Sequence, residues 1–335
     1  LDNGDHLRPV AIYVVNAGHS THLFTTGRII MDVVNFHREP PSNLTTMVVA
    51  FGGWINAGRA ATGALRYLVR HLAASHLASI DPEEFFVFTE ERPHVRMADD
   101  GSRTIRWPRG EFFMWQPSDS RTGLLLFRGR EPHQRWRTYT TALLDVAEQC
   151  GVTRIVSLGA FLAGAPHTRP TLVTARSTDP DWQALLKEWG IYRRPSYEGP
   201  TGIVPVFLAA ATGRGVPHLD FMGQAPYYLQ NIENPAVTQA LLRYLGRLLN
   251  LELDVTPFDE AVKLFRAQCD QAIAGNASIQ AHVRQLEQEH DAAAGEASEP
   301  LQEEELNPQQ LIQEVEDFLR EEREGGEPGA EPEAR

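Results

Sequence analysis

The sequence predicts a three-layer α/β/α domain with a mostly parallel mixed sheet, followed by C-terminal helices. Two observations carry this. Apolar runs of four to eight residues alternate with longer stretches of helical spacing, the pattern of strands covered on both faces. Beyond Pro257 the texture changes to polar helix with widely spaced apolar residues. The chain has 335 residues, 42% of them apolar, enough for one large core and an appendage.

Strands are predicted at 10–15 (VAIYVV), 28–34, 46–51 (TMVVAF), 83–88 (EEFFVF), 104–107, 123–129 (GLLLFRG), 154–160 (RIVSLGA) and 171–177. A first helix, 57–75, lines up Leu65, Leu68, Val69 and Leu72. A second, 133–150, sets Leu143, Leu144, Ala147 and Cys150 on one side and ends at Gly151, a common terminator. A short helix over 181–190 closes at Gly190, and another follows the Gly-Pro-Thr-Gly turn over 203–213. The helix 234–251 opens with an Asn cap and Pro at its first position.

These elements make one α/β domain over 29–255, preceded by an N-terminal segment, 1–28, that is set apart. Residues 256–290 form a helical extension with Val262, Phe265, Cys269, Ala272 and Ile273 at three-to-four spacing, with Gly275 as its breaking point. An acidic linker follows over 291–306, then an amphipathic helix over 307–324 with Leu311, Ile312, Val315, Phe318 and Leu319 in one stripe, then a tail over 325–335. That stripe has no local core, so it must dock on the body, a sister subunit or a partner.

The net charge of −13 is concentrated at the end: residues 286–335 carry 17 acidic residues against 3 Arg, and the rest is nearly neutral. A neutral body gives no footprint for nucleic acid. No apolar run is long enough to cross a bilayer, and the first residues lack a secretory pattern, so a cytoplasmic protein is expected. Cys150 and Cys269 lie far apart in helical segments, which argues against a disulfide or zinc site.

Three stretches carry candidate chemistry. In VVAFGGWINAGRAATGALRYL (48–68), a strand runs through a glycine turn into a helix, the layout of a phosphate loop. Gly53, Gly58 and their neighbours fit neither the P-loop nor the dinucleotide spacing, and the turn has no Lys. The glycines read as backbone packing, Trp54 as a contact residue and Asn56 as a cap. In SLGAFLAGAPHTRP (157–170), His167, Thr168 and Arg169 sit between two prolines past a strand end that contains Gly159. They could form an anion pocket with an acid-base His, or fix the loop by capping neighbouring groups. In SYEGPTGIVPV (196–206), Tyr197 and Glu198 precede Gly199, Thr201 and Gly202; Thr201 can cap the next helix and Glu198 can pair with Arg169. Nucleophile-elbow, Cys–His and zinc-protease patterns are absent, so no catalytic residue, cofactor or metal is assigned.

In this order the three stretches resemble the second proteasome assembly chaperone family, as a bacterial-type member with a C-terminal helical extension. The Gly-Trp-x-Asp-Ala-Gly motif is matched by Gly53 to Gly58, the Leu-Gly-Ala and Pro-His-Thr-Arg-Pro motifs by Leu158 to Ala160 and Pro166 to Pro170, and Tyr-x-Gly-Pro-Thr-Gly by Tyr197 to Gly202. A Pro-Tyr element follows at Pro226 and Tyr227. The resemblance implies a phosphorylase- and hydrolase-like fold and a homo-oligomer, a trimer foremost, that binds proteins and turns over no substrate. It also implies the proteasome core as a partner, although this sequence ends Glu-Pro-Glu-Ala-Arg, without the hydrophobic-Tyr-x docking tail of some archaeal members. Asn56 stands where the family has Asp, which removes a charge. The fold likeness raises an alternative: an enzyme or anion-binding protein using His167, Arg169, Glu198 and Thr201.

Overall fold

Strands buried on both faces need apolar side chains at every position, and the central strands of the sheet supply them. Along β4 (Thr46–Gly52), Met47, Val49 and Phe51 enter one core while Val48 and Ala50 enter the other. The computed structural model describes residues 33–98, 100–117, 123–194, 197–230 and 232–295, and two short pieces, 13–14 and 23–24. The pieces, β1 (Tyr13–Val14) and β2 (Leu23–Phe24), pair antiparallel. Otherwise the strand expected at 10–15, and most of that at 28–34, lie outside the described residues; β3 (Val34–Phe36) begins at the end of the latter.

After β4, a turn leads to α1 (Ala60–His71), then β5 (Ser75–Ile80), a hairpin of β6 (His94–Met97) and β7 (Arg103–Arg106), β8 (Gly110–Trp115) and β9 (Leu124–Arg130). Then come α2 (Trp136–Gln149), β10 (Arg154–Ala163), β11 (Val173–Ser177), α3 (Pro180–Glu188), α4 (Ile203–Gly213), β12 (His218–Pro226) and α5 (Pro235–Leu249). The eight-stranded sheet has the order β11-β12-β10-β4-β9-β8-β5-β3. The four central strands, β12, β10, β4 and β9, are parallel, and both flanks are antiparallel. Helices α2 and α4 cover one face around Phe112, Phe127, Tyr139 and Phe207; α1, α3 and α5 cover the other around Leu65, Leu68, Phe221 and Leu241.

The sequence places one strand wrongly and misses five, β2, β5, β6, β8 and β12. EEFFVF is no strand: the Phe85 and Phe86 N–H groups bond to the Pro82 carbonyl in a turn, and the two rings are buried beneath it. Apolar content alone does not separate a buried turn from a strand. The first helix stops at His71, short of 75, and SHLASI becomes β5; GEFFMW becomes β8 and HLDFMGQAP becomes β12.

Beyond the body, α6 (Pro257–Ile273) and α7 (Ala277–Gly295) meet at a break around Gly275, where the Asn276 side chain caps α7 by accepting from Ser278 and Ile279 N–H. Val262, Phe265, Cys269, Val283 and Leu286 are buried, and Phe265 and Cys269 cluster with Leu229. Helix α7 therefore continues through 291–295, where a linker was expected. The rest of that linker, the helix at 307–324 and the tail lie outside the described residues.

Candidate functional site

In an open α/β sheet, loops leaving the carboxyl ends of the parallel strands share one rim, and ligands bind there. Here β4 and β10 deliver the first two stretches to that rim, β9 brings Glu131, β12 brings Tyr227 and Tyr228, and the third stretch joins them at the start of α4. At the end of β4, Gly53 (φ +142°) turns the chain, and a side chain there would strike Glu131, whose carboxylate an added Cβ would approach within 2.7 Å. Glu131, just past β9, accepts the Trp54 N–H at 3.2 Å with one oxygen and the Ile203 N–H at 2.9 Å with the other. One carboxylate thus joins the first stretch to the third, at the start of α4, where the helix dipole favours negative charge.

Thr201 is exposed and does not cap α4; the cap position is Gly202, and the orphan N–H of Ile203 is satisfied by Glu131 across the rim. Gly202 also lets Glu131 and the Trp54 ring approach, since an added Cβ would meet them at 3.2 and 3.7 Å. Gly199 sits under the Tyr197 hydroxyl, which donates to the Pro200 carbonyl at 2.9 Å.

Asn56 works one turn into α1: its Oδ1 accepts the Thr62 N–H at 3.1 Å and its Nδ2 donates to Thr62 Oγ1 at 3.0 Å. It also bridges to Ala160 of β10. Gly58 (φ +56°) accommodates Asn234, the cap of α5, whose Cβ would lie 2.6 Å from an added Cβ. Gly159 leaves room for Ile55 and Met222. The first and second stretches are thus packed backbone to backbone.

The second stretch is claimed by the C-terminal helices. His167 is buried; its backbone N–H donates to the Tyr228 hydroxyl at 3.0 Å, and its Nδ1 lies 2.8 Å from the same oxygen. That hydroxyl, already an acceptor, gives its proton to Nδ1, and Nε2–H donates to Asp270 of α6 at 3.1 Å. Burial raises the Tyr228 phenol well above its ordinary value, which keeps that proton in place. Thr168 Oγ1 donates to Glu287, and Tyr227 bonds His282 of α7. Arg169 forks onto Asp291 at 2.9 and 2.8 Å and reaches Glu287 at 3.2 Å.

The expected Arg169–Glu198 pair does not form. Glu198 is exposed and makes no ion pair among the described residues, because α7 brings two carboxylates to Arg169 that the third stretch does not. No bond joins His167, Arg169, Glu198 and Thr201 among the described residues: His167 and Arg169 turn to α6 and α7, and Thr201 meets only the Gly202 carbonyl. The hollow beneath Trp54, lined by Phe51, Glu131 and Ile203, has no room for a water. Beside the exposed Glu198 and Thr201 the rim shows large apolar side chains: Trp54, Tyr197 and Ile232 are each at least half exposed. Glu131 escaped notice because its only sequence signal is an acid just past an apolar strand; its value depends on β9 lying beside β4.

The PAC2 family model matches residues 50–273, which spans all three stretches and α6. The chain belongs to the PAC2 family. Among solved structures, this PAC2 chain is similar to a PAC2 family protein from Streptomyces avermitilis, with 35% identity and a TM-score of 0.63 over 68% of this chain and 95% of that one. It is also similar to a proteasome-assembly chaperone homologue from Mycobacterium tuberculosis, with 33% identity and a TM-score of 0.64 over 71% of this chain and 100% of that one. An archaeal proteasome activator from Pyrococcus furiosus, at 18% identity and a TM-score of 0.60 over 72% of this chain and 99% of that one, shares the fold. No curated protein matches significantly. Among the described residues of this PAC2 protein, no helix is long and apolar enough to cross a membrane.

Proposed function

We propose that this chain is a non-catalytic binding scaffold or assembly chaperone for proteins, acting in the cytoplasm as a homo-oligomer, a trimer foremost, with proteasome core subunits as its first candidate partner. The observation that carries this reading is the state of the rim. Apart from the exposed Glu198 and Thr201, its polar groups are engaged by the protein itself: both nitrogens of His167 are bonded, Arg169 is forked onto α7, and Glu131 holds two backbone N–H groups. Exposed Trp54 and Tyr197 remain, and aromatic side chains of this kind anchor protein interfaces. The 33% identity to a proteasome-assembly chaperone homologue supports the choice of partner.

The test pairs binding with turnover. Mixed with the proteasome core of its own cell, the full chain is expected to give a complex on native electrophoresis. Trp54→Ala with Tyr197→Ala should weaken it about tenfold or more, each anchor being worth about 1–2 kcal/mol, with the circular dichroism spectrum unchanged. Phosphorolysis of a nucleoside, or hydrolysis of an ester or peptide, by the wild type and not by His167→Ala would overturn the reading.

A further inference from the structure

The rim leaves unused a groove of about 730 Å³ on the far side of the 166–170 loop, between α5 and α6. Its lining is cationic, with Arg243, Arg247, Lys263 and Arg266 against the single carboxylate Asp259. Its floor is apolar, formed by Ala236, Ala240 and Val262. The two arginines of α5 are incompletely matched: Arg243 meets Asp259 at 3.4 Å, and Arg247, stacked on Trp189, reaches Glu188 only at 4.0 Å, whereas Lys263 is paired with Glu260 at 2.7 Å. Arg266 makes no ion pair among the described residues; it donates to the Arg169 carbonyl, and its Nε is buried without a partner. An amphipathic acidic ligand fits such a lining.

The chain carries such a ligand and delivers it to the right place. Pro170 and Thr171 form one wall of the groove, and the last turns of α7 are fastened beside them by His290 on the Pro170 carbonyl at 3.2 Å and by Asp291 on Arg169. From Gly295, residues 296–306 can span up to about 36 Å. Residues 307–324 follow, with six acids against Arg320 and Arg323, and their apolar stripe from Leu311 to Leu319 covers about 12 Å of helix. The α5 wall from Ala236 to Arg247 is about 16 Å long.

We infer that residues 307–324 of this same chain lie as an amphipathic helix in the α5–α6 groove, stripe on the apolar floor and acids toward Arg243, Arg247 and Lys263. This does not depend on what the rim binds. The whole chain has two lysines, Lys187 and Lys263, so zero-length carbodiimide coupling of the full-length protein reads the groove almost alone.

The expected product joins Lys263 to an acid within 307–324, with no mixed product when isotopically light and heavy protein are combined. The neighbouring Lys263–Glu260 product, from a pair 2.7 Å apart, is the internal standard. Arg243→Glu with Arg247→Glu, both exposed, should lower the yield about tenfold while that standard persists. Lys263 coupling to Glu260 and never to 307–324 would overturn the inference. So would a mixed-isotope product, which would assign the groove to a second copy, or an unchanged yield in the double variant.

Discussion

Glu131 shows how one side chain settles what two distant stretches can do. Its bonds to Trp54 and Ile203 cross 77 and 72 residues of sequence and occupy both oxygens. Glu131→Gln keeps size and reach but offers one acceptor where two are needed, and turns an amide N–H₂ toward a backbone N–H. The expected loss is about 0.5–1.5 kcal/mol in chemical denaturation, the net worth of one hydrogen bond at a part-exposed site. Unchanged stability would show that one of the two N–H groups has another partner. The Asn56 bonds make a related point: the amide both accepts from and donates to Thr62, whereas an aspartate could only accept. The uncharged residue at this position therefore has work to do within the turn.

At the scale of elements, α6 and α7 act as a clamp on the 166–170 loop, and Arg169 is its main fastening. In Arg169→Ala, amide exchange across 277–292 should accelerate, while β4, β10 and α2 keep their protection because their hydrogen bonds and core are untouched. Equal exchange in variant and wild type would mean that Val283 and Leu286, with the Thr168, Tyr227 and Pro170 bonds, hold α7 without Arg169. Here the sequence was partly legible. The stripe Val262, Phe265 and Cys269, the break at Gly275 and the Asn234 cap were all readable from spacing and residue type. Strand β12 was not, since Asp220 in its middle argues against a doubly buried strand until Ser157 and Arg176 are seen to pair with it across neighbouring strands. The anchoring of His167 by Tyr228 and Asp270 was illegible for the same reason: both partners lie more than sixty residues away.

For the whole molecule, buried titratable groups tie stability to pH. His218 has its pKa held below the ordinary 6.5, first by burial and then by nearby Arg176; His76 is lowered by burial and then by His37. A folded value below the unfolded one means that the native state binds the proton more weakly. The stabilisation is therefore complete above the unfolded value and is lost as pH falls through it toward the folded one. Asp220, raised by burial, acts in the opposite sense, so the informative quantity is a difference between proteins. Between about pH 7 and about pH 5.5, wild-type Tm should fall more than that of His218→Gln. Parallel Tm curves for the two would remove His218 from this account.

The clamp also gives the molecule a lever. Because the guanidinium of Arg169 is gripped by the final turns of α7 while its backbone belongs to the 166–170 loop, a pull on the far end of α7 travels along one helix to that loop. Whatever seizes that end has a mechanical handle on the loop beside the rim.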